Sequence, residues 1–296
     1  MSKRNFILIL FATFLLGILN FSSANQTETI YIEMGIKHLS NHEYSKAAES
    51  FSNAIEINPN SSKTYSSRAN AYNSLGKELQ AIADCTKALQ LDQSNAEAYF
   101  IRGSIYLNNE DYEKALSDLN KTISLNTKNN NVYFFRGLIY YQQKNYQNAL
   151  NDYNKALELY PNDADVYYNR GLIYYQQKQE QKAIADFTEV INLNSNFAPP
   201  YYYIGTYYYY QGKYQEAITE FTKAIKLDSN YVDPYLSRGL AYRQQGQYQA
   251  AISDYTIAIE LDPTNTTAYR GRAMAYEKID DKASARKDLL MAVMFK

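Results

Sequence analysis

The chain has 296 residues, a net charge of −1 and a pI near 6.2, so it has no basic excess with which to hold nucleic acid. Its single cysteine, Cys85, excludes an intrachain disulfide, and stability has to come from packing. Tyrosine is the outlier, at 32 residues with no tryptophan, while only 11 glycines and 6 prolines interrupt strong helix-period patterning.

The first feature in chain order is an address. Lys3 and Arg4 precede an apolar run from Phe6 to Phe21, followed by Ser22, Ser23 and Ala24. This predicts a signal peptide over residues 1–24, cleaved after Ala24, and export to the periplasm or outside the cell. The alternative is an uncleaved membrane anchor, although the run is shorter than the roughly 20 residues that span a bilayer. A mature N-terminus at Asn25, read by N-terminal sequencing of the purified protein, selects cleavage; an intact Met1 selects the anchor.

From Glu28 onward a 34-residue pattern repeats eight times without insertion or deletion, in units 28–61, 62–95, 96–129, 130–163, 164–197, 198–231, 232–265 and 266–296. Tyrosine opens each unit, at Tyr31, Tyr65, Tyr99, Tyr133, Tyr167, Tyr201, Tyr235 and Tyr269. Four residues later stands glycine or alanine, as at Gly103 and Ala69, and twelve beyond that always alanine, from Ala47 to Ala285. Within unit four, Tyr133, Gly137 and Tyr140 share one helix face, Gln143 to Asn145 form a turn, and Tyr146 to Leu159 form a second helix ended by Pro161. The small residues predict a close helix crossing, with the tyrosines as packing around it. One such hairpin cannot bury its apolar face alone, so the hairpins have to stack.

This pattern resembles the tetratricopeptide repeat (TPR), with Tyr133-x-x-Arg136-Gly137-x-x-Tyr140 and Tyr167-x-x-Arg170-Gly171-x-x-Tyr174 as its clearest cores. Tyrosine stands for the family's tryptophan throughout, and the terminal proline is present only as Pro59, Pro161 and Pro263. The resemblance implies an all-α right-handed superhelix (an α-solenoid) of antiparallel helix pairs, whose concave groove binds peptides or proteins.

Six units carry arginine three residues after the opening tyrosine and aspartate sixteen residues later: Arg68 with Asp84, Arg102 with Asp118, Arg136 with Asp152, Arg170 with Asp186, Arg238 with Asp254, Arg272 with Asp288. Unit six has Ile204 and Glu220 instead, and unit one Met34 and Ser50. This co-occurrence predicts an ion pair between the two helices of each unit, the planar guanidinium suiting a bidentate contact.

By the family resemblance, the groove positions include Phe100, Leu107, Phe134, Leu138, Tyr141, Tyr168, Leu172, Tyr175, Tyr202, Tyr209, Leu236 and Leu240. Unit two offers Ser66, Asn70 and Asn73, and unit eight Arg270, Met274 and Glu277, so an apolar middle is expected between polar ends. Unit six adds Pro199, Pro200 and two tyrosine runs, 201–203 and 207–210. In unit eight, positions filled by Asn154, Lys155 and Glu158 in unit four become Leu290, Met291 and Met294. With Phe295 they predict an association surface, for a second copy or a partner.

The sequence offers no catalytic constellation, and neither a cofactor nor a metal is expected. His38 and His42 are i, i+4 but have no acidic or cysteine cluster beside them. Cys85 takes a core position filled elsewhere by Phe51, Tyr153 and Phe187. The expected function is that of a non-enzymatic scaffold binding a protein or peptide. The alternative is a membrane-associated assembly factor for cell-envelope complexes.

Overall fold

The computed structural model describes residues 25–125, 129 and 131–295, so the expected signal segment, 1–24, lies outside the described residues. Two compact units divide the chain, residues 1–145 and 146–296. In the first, α1 covers residues 25–40, followed by α2 (Tyr44–Ile57), α3 (Ser62–Ser74), α4 (Glu78–Leu91), α5 (Ala96–Asn108), α6 (Tyr112–Ser124) and α7 (Asn131–Gln142). In the second come α8 (Tyr146–Leu159), α9 (Ala164–Gln176), α10 (Glu180–Leu193), α11 (Ala198–Tyr210), α12 (Tyr214–Leu227), α13 (Val232–Gln244), α14 (Tyr248–Leu261), α15 (Thr266–Lys278) and α16 (Lys282–Met294). No strand occurs among the described residues, and none of their helices is long and apolar enough to cross a membrane.

Many of the helix boundaries follow from local signals that recur at the repeat spacing. Ser61, Asn95, Asp163 and Asn265 cap α3, α5, α9 and α15 by accepting a hydrogen bond from the N–H three residues on. The first helix of each pair ends in a left-handed residue: His42, Gly76, Glu110, Lys144, Lys178, Gly212, Gly246 and Asp280 all have φ between 57° and 74°. The second helices end where Asn58, Asp92, Asn194, Asp228 and Asp262 turn their side chains onto the N–H two residues ahead.

Consecutive helices form antiparallel pairs, and each pair packs on the next within its unit. The small residue of the first helix admits a large side chain sixteen residues on. A methyl added at Gly205 would stand 2.7 Å from the Phe221 ring, and one at Gly171 2.9 Å from Phe187. Where alanine replaces glycine at Ala69, the residue sixteen on is Cys85, fully buried and correspondingly small. Burial pushes the Cys85 thiol up to about 12, so it packs as an inert apolar group. The core is continuous across repeat boundaries: Ala81, Cys85 and Leu89 of α4 meet Ala98, Ile101 and Ile105 of α5.

Five of the six expected ion pairs are formed as bidentate contacts, Arg Nε and Nη2 each donating to one carboxylate oxygen. Distances run from 2.7 to 2.9 Å for Arg68–Asp84, Arg102–Asp118, Arg170–Asp186, Arg238–Asp254 and Arg272–Asp288. Arg136 and Asp152 fall in different units, and their pairing stands as an expectation.

A third arm of the ladder was not expected. Nη1 of each arginine donates to the second helix of the preceding repeat: Arg68 to Ser52, Arg102 to Thr86, Arg136 to Asn120, Arg170 to Asn154, Arg238 to Thr222 and Arg272 to Thr256. The hydroxyls of Ser52, Thr86, Thr222 and Thr256 donate to the carbonyl four residues back in their own helix, leaving a lone pair for the guanidinium.

The tyrosines expected as plain core are divided. Tyr201, Tyr235 and Tyr269 are buried, while Tyr31, Tyr65, Tyr99, Tyr133 and Tyr167 are only half-buried. In the repeats with the arginine, the opening tyrosine lies against its guanidinium, and in four of them the tyrosine seven residues on does too, as around Arg68 and Arg238. Hydrogen bonds to their aspartates hold Arg68, Arg102 and Arg272 above the usual arginine range. Burial pushes the Asp186 and Asp254 carboxyls up, against the pull of their arginines. In repeat six Lys223 takes the place of the missing arginine: it pairs with Glu220 at 2.7 Å and sits over the Tyr201 ring. Thr188, which would face Ile204 in this register, bonds only to Ile184 of its own helix.

Two predictions follow from the ladder and the turns. Arg238→Ala strands a buried carboxylate and lowers stability by about 3–5 kcal/mol, whereas Thr222→Ala costs about 1 kcal/mol; urea unfolding of both, with equal losses, would contradict the ladder's ranking. Lys178→Gly relieves a left-handed lysine on a solvent-facing turn and raises the urea midpoint by the equivalent of about 0.5–1 kcal/mol. A lowered midpoint would refute that.

Candidate partner-binding groove

The expected groove residues lie on the first helices, α5, α7, α9, α11 and α13, and the structure divides them by role. In the first unit Phe100 stacks on Phe135 with centroids 5.4 Å apart and planes 11° apart, and Leu107 packs beside them, so both are partly spent on the core. Phe134, Leu138 and Tyr141 are half-buried. A shallow pocket of about 280 Å³ lies beside Phe100, lined also by Asn70, Glu97, Ile101, Thr122 and Asn129.

In the second unit the aromatics form a connected sheet of rings. Tyr203 stacks on Phe187 at 4.7 Å, Tyr168 meets Phe197 edge-on at 5.0 Å, and Tyr175 meets Tyr203 edge-on at 5.0 Å. Tyr202 leans on Phe221 and Tyr231, and Tyr209 on Tyr214. Tyr168 and Leu172 are accordingly held in packing, whereas Tyr175 remains 39% exposed and Tyr209 half-buried. Burial pushes the Tyr175, Tyr202, Tyr203 and Tyr231 phenols up, so none ionises near neutral pH and each presents an uncharged O–H.

Two adjoining pockets open along this surface. One, of about 120 Å³, is lined by Tyr175, Tyr202, Thr206, Tyr209, Tyr210, Phe221, Ser237 and Leu240. The other, of about 410 Å³, shares Tyr202, Ser237 and Leu240 and adds Asp233, Leu236, Arg243, Tyr255, Thr267, Arg270, Gly271 and Met274. Arg270 and Met274, expected as a polar end of the groove, thus line the same pocket as Leu236 and Leu240. Arg243 and Gly271 were not anticipated. Arg243 was legible as the one cation at the position that Tyr141, Tyr175 and Tyr209 occupy in other repeats and Glu277 in unit eight.

The expected association surface on α16 is open in part. Leu290 is 60% exposed, Val293 71% and Met294 74%. Met291 is half-buried, and Phe295 stacks on Tyr269 at 6.0 Å, which ties it to its own repeat. Among the histidines, His38 hydrogen-bonds Glu43 and His42 bonds the Tyr44 hydroxyl. Among the described residues no group of three potential metal ligands comes together.

Comparison with known families matches the TPR repeat at residues 137–178, 205–242 and 239–280, and the tetratricopeptide repeat at 164–197. A third match, over 78–156, is to anaphase-promoting complex, cyclosome, subunit 3. No curated protein sequence matches the chain. Among solved structures, the chain is similar to YrrB, described as a TPR protein with an unusual peptide-binding site. The identity is 27%, the TM-score 0.55, and the match spans 64% of this chain and 97% of that one. It is similar to MamA at 26% identity and TM-score 0.52, over 56% of this chain and 91% of that one. The C-terminal part of a TPR repeat-containing protein from Cytophaga hutchinsonii shares the fold at 21% identity and TM-score 0.62, over 81% and 98% of the two chains. With the family matches, the helix pairs and the 34-residue period in agreement, the chain belongs to the tetratricopeptide-repeat family, whose members mediate protein–protein interaction.

Proposed function

We propose that the chain is a non-enzymatic scaffold that binds an extended or helical segment of a partner protein along α9, α11, α13 and α15. The observation that carries this reading is the pair of adjoining pockets sharing Tyr202, Ser237 and Leu240, with exposed Tyr175 at one end and Met274 at the other. Aromatic and aliphatic walls with a few convergent polar groups are what a peptide-binding cleft needs. The similarity to YrrB, itself described by a peptide-binding site, supports it. We read residues 1–24 as an export signal, and on that reading the scaffold acts outside the cytoplasm.

A second reading rests on α16. Leu290, Val293 and Met294 stand in solvent, and each such side chain gains about 1.5–3 kcal/mol on full burial. This favours docking of a second copy or of a partner onto α16.

One experiment separates the two. The chain from Asn25 onward is used to capture partners from its source extract, beside a Tyr175→Ala/Tyr209→Ala variant and a Met294→Lys variant of equal helicity. The groove reading expects a partner kept by the wild type and Met294→Lys and lost by the double-alanine variant. Loss only with Met294→Lys moves binding to α16, and a partner held equally by all three overturns both readings.

A further inference from the structure

The pocket of about 410 Å³ differs chemically from the rest of the groove. Of the arginines in the described residues, only Arg243, Arg270 and Arg286 lie outside the repeating ladder, and two of these three line this one pocket. Neither Arg243 nor Arg270 meets a carboxylate within ion-pair distance among the described residues, whereas five of the six ladder arginines are seen neutralised by a bidentate aspartate. The Arg243 guanidinium lies against the Met274 thioether. Asp233 is the one acidic residue in the lining, so the pocket carries an unmatched positive charge.

Its walls are apolar. Leu236, Leu240 and Met274 line it, with Tyr202 on one side. Gly271 admits the last wall: a methyl there would stand 2.5 Å from Tyr255 Cζ, so only glycine lets the ring lie where it does. Elsewhere in the second unit this repeat position carries Asn169, Tyr203 or Ser237. A volume of about 410 Å³ lies within the usual range for ligand pockets, roughly 300–1,000 Å³.

We infer that this pocket is an anchor subsite for a bulky apolar side chain, above all an aromatic one, flanked by aspartate or glutamate in the bound segment of a partner protein. This rests on the groove reading above and adds the chemistry of the occupant. The apolar walls and the adaptable Met274 take the side chain. Arg243 and Arg270 meet the flanking carboxylates and repel a basic flank, so the charges set selectivity more than total affinity.

The test uses three labelled decapeptides, glycine and serine apart from the centre, which reads Glu-Trp-Asp, Lys-Trp-Lys or Glu-Ala-Asp. Binding to the full chain is followed by fluorescence anisotropy up to millimolar protein. The expected result is that Glu-Trp-Asp binds about tenfold or more tighter than either other peptide, a margin that narrows as salt rises. An Arg243→Glu/Arg270→Glu variant inverts the preference to Lys-Trp-Lys, while Arg286→Glu, away from the pocket, leaves it unchanged. Equal binding of the Glu-Trp-Asp and Lys-Trp-Lys peptides, a preference that survives the double reversal, or no binding of any peptide overturns the inference. The groove itself is judged separately by the Tyr175→Ala/Tyr209→Ala capture, whose residues lie outside this pocket's lining, so one reading can fail while the other stands.

Discussion

Arg68, Arg102, Arg170, Arg238 and Arg272 each tie three helices at once, and the helices of each unit are arranged around these ties. Arg238 bonds Asp254 on its own hairpin with two nitrogens and Thr222 on the preceding hairpin with the third, between the rings of Tyr235 and Tyr242. The aspartate fixes how two helices of a hairpin sit, and the hydroxyl fixes how one hairpin sits on the next. A lysine could neutralise Asp254 but could not fork between three helices. Repeat six shows what happens without it. Ile204 joins the apolar cluster with Phe187, Thr188 keeps the bond to its own helix that its counterparts also make, and Lys223 pairs locally with Glu220. The loss of the polar tie coincides with close aromatic packing, Tyr203 stacked on Phe187 at 4.7 Å.

The groove follows from what that framework leaves unused. Positions facing the hairpin partner are fixed by glycine, alanine and the ring sixteen residues on. Positions facing the ladder are fixed by arginine and its flanking tyrosines. Only one stripe of each first helix is free to vary, and it varies from Asn70 through Leu138 and Leu172 to Met274. Part of even this stripe is recruited to packing, as with Phe100 and Tyr168. In the second unit the part of this stripe that we propose for a partner is Tyr175, Tyr202, Tyr209, Leu236, Leu240 and the residues around Gly271.

Much of this was legible in the sequence because the repeat supplies its own comparison. The hairpins, their turns, the arginine–aspartate pairing and the burial of Cys85 all follow from residues that recur at one spacing. The third arm of the arginine was not legible, because its acceptor is serine, threonine or asparagine, residues that read as ordinary solvent-facing positions. Nor was the glycine–ring complementarity, which appears only when Ala69 is set beside Cys85 and Gly205 beside Phe221. The stripe at repeat eight was expected to be merely polar. Arg270 and Met274 instead share a cavity with Leu240, because neighbouring first helices present the same register to one space.

The glycine–ring pairs also bear on how such a chain can change length. A recombination break inside a hairpin would set the first helix of one repeat against the second of another. Joining Ala69 to a helix bearing Phe221 would put a methyl where the ring must lie. A break at the boundary between hairpins keeps every such pair together, and disturbs only the arginine's contact with a serine, threonine or asparagine, any of which accepts its hydrogen bond. Duplication in whole 34-residue blocks is therefore the path of least steric resistance, and a period kept without insertion across all eight repeats is what that path leaves behind.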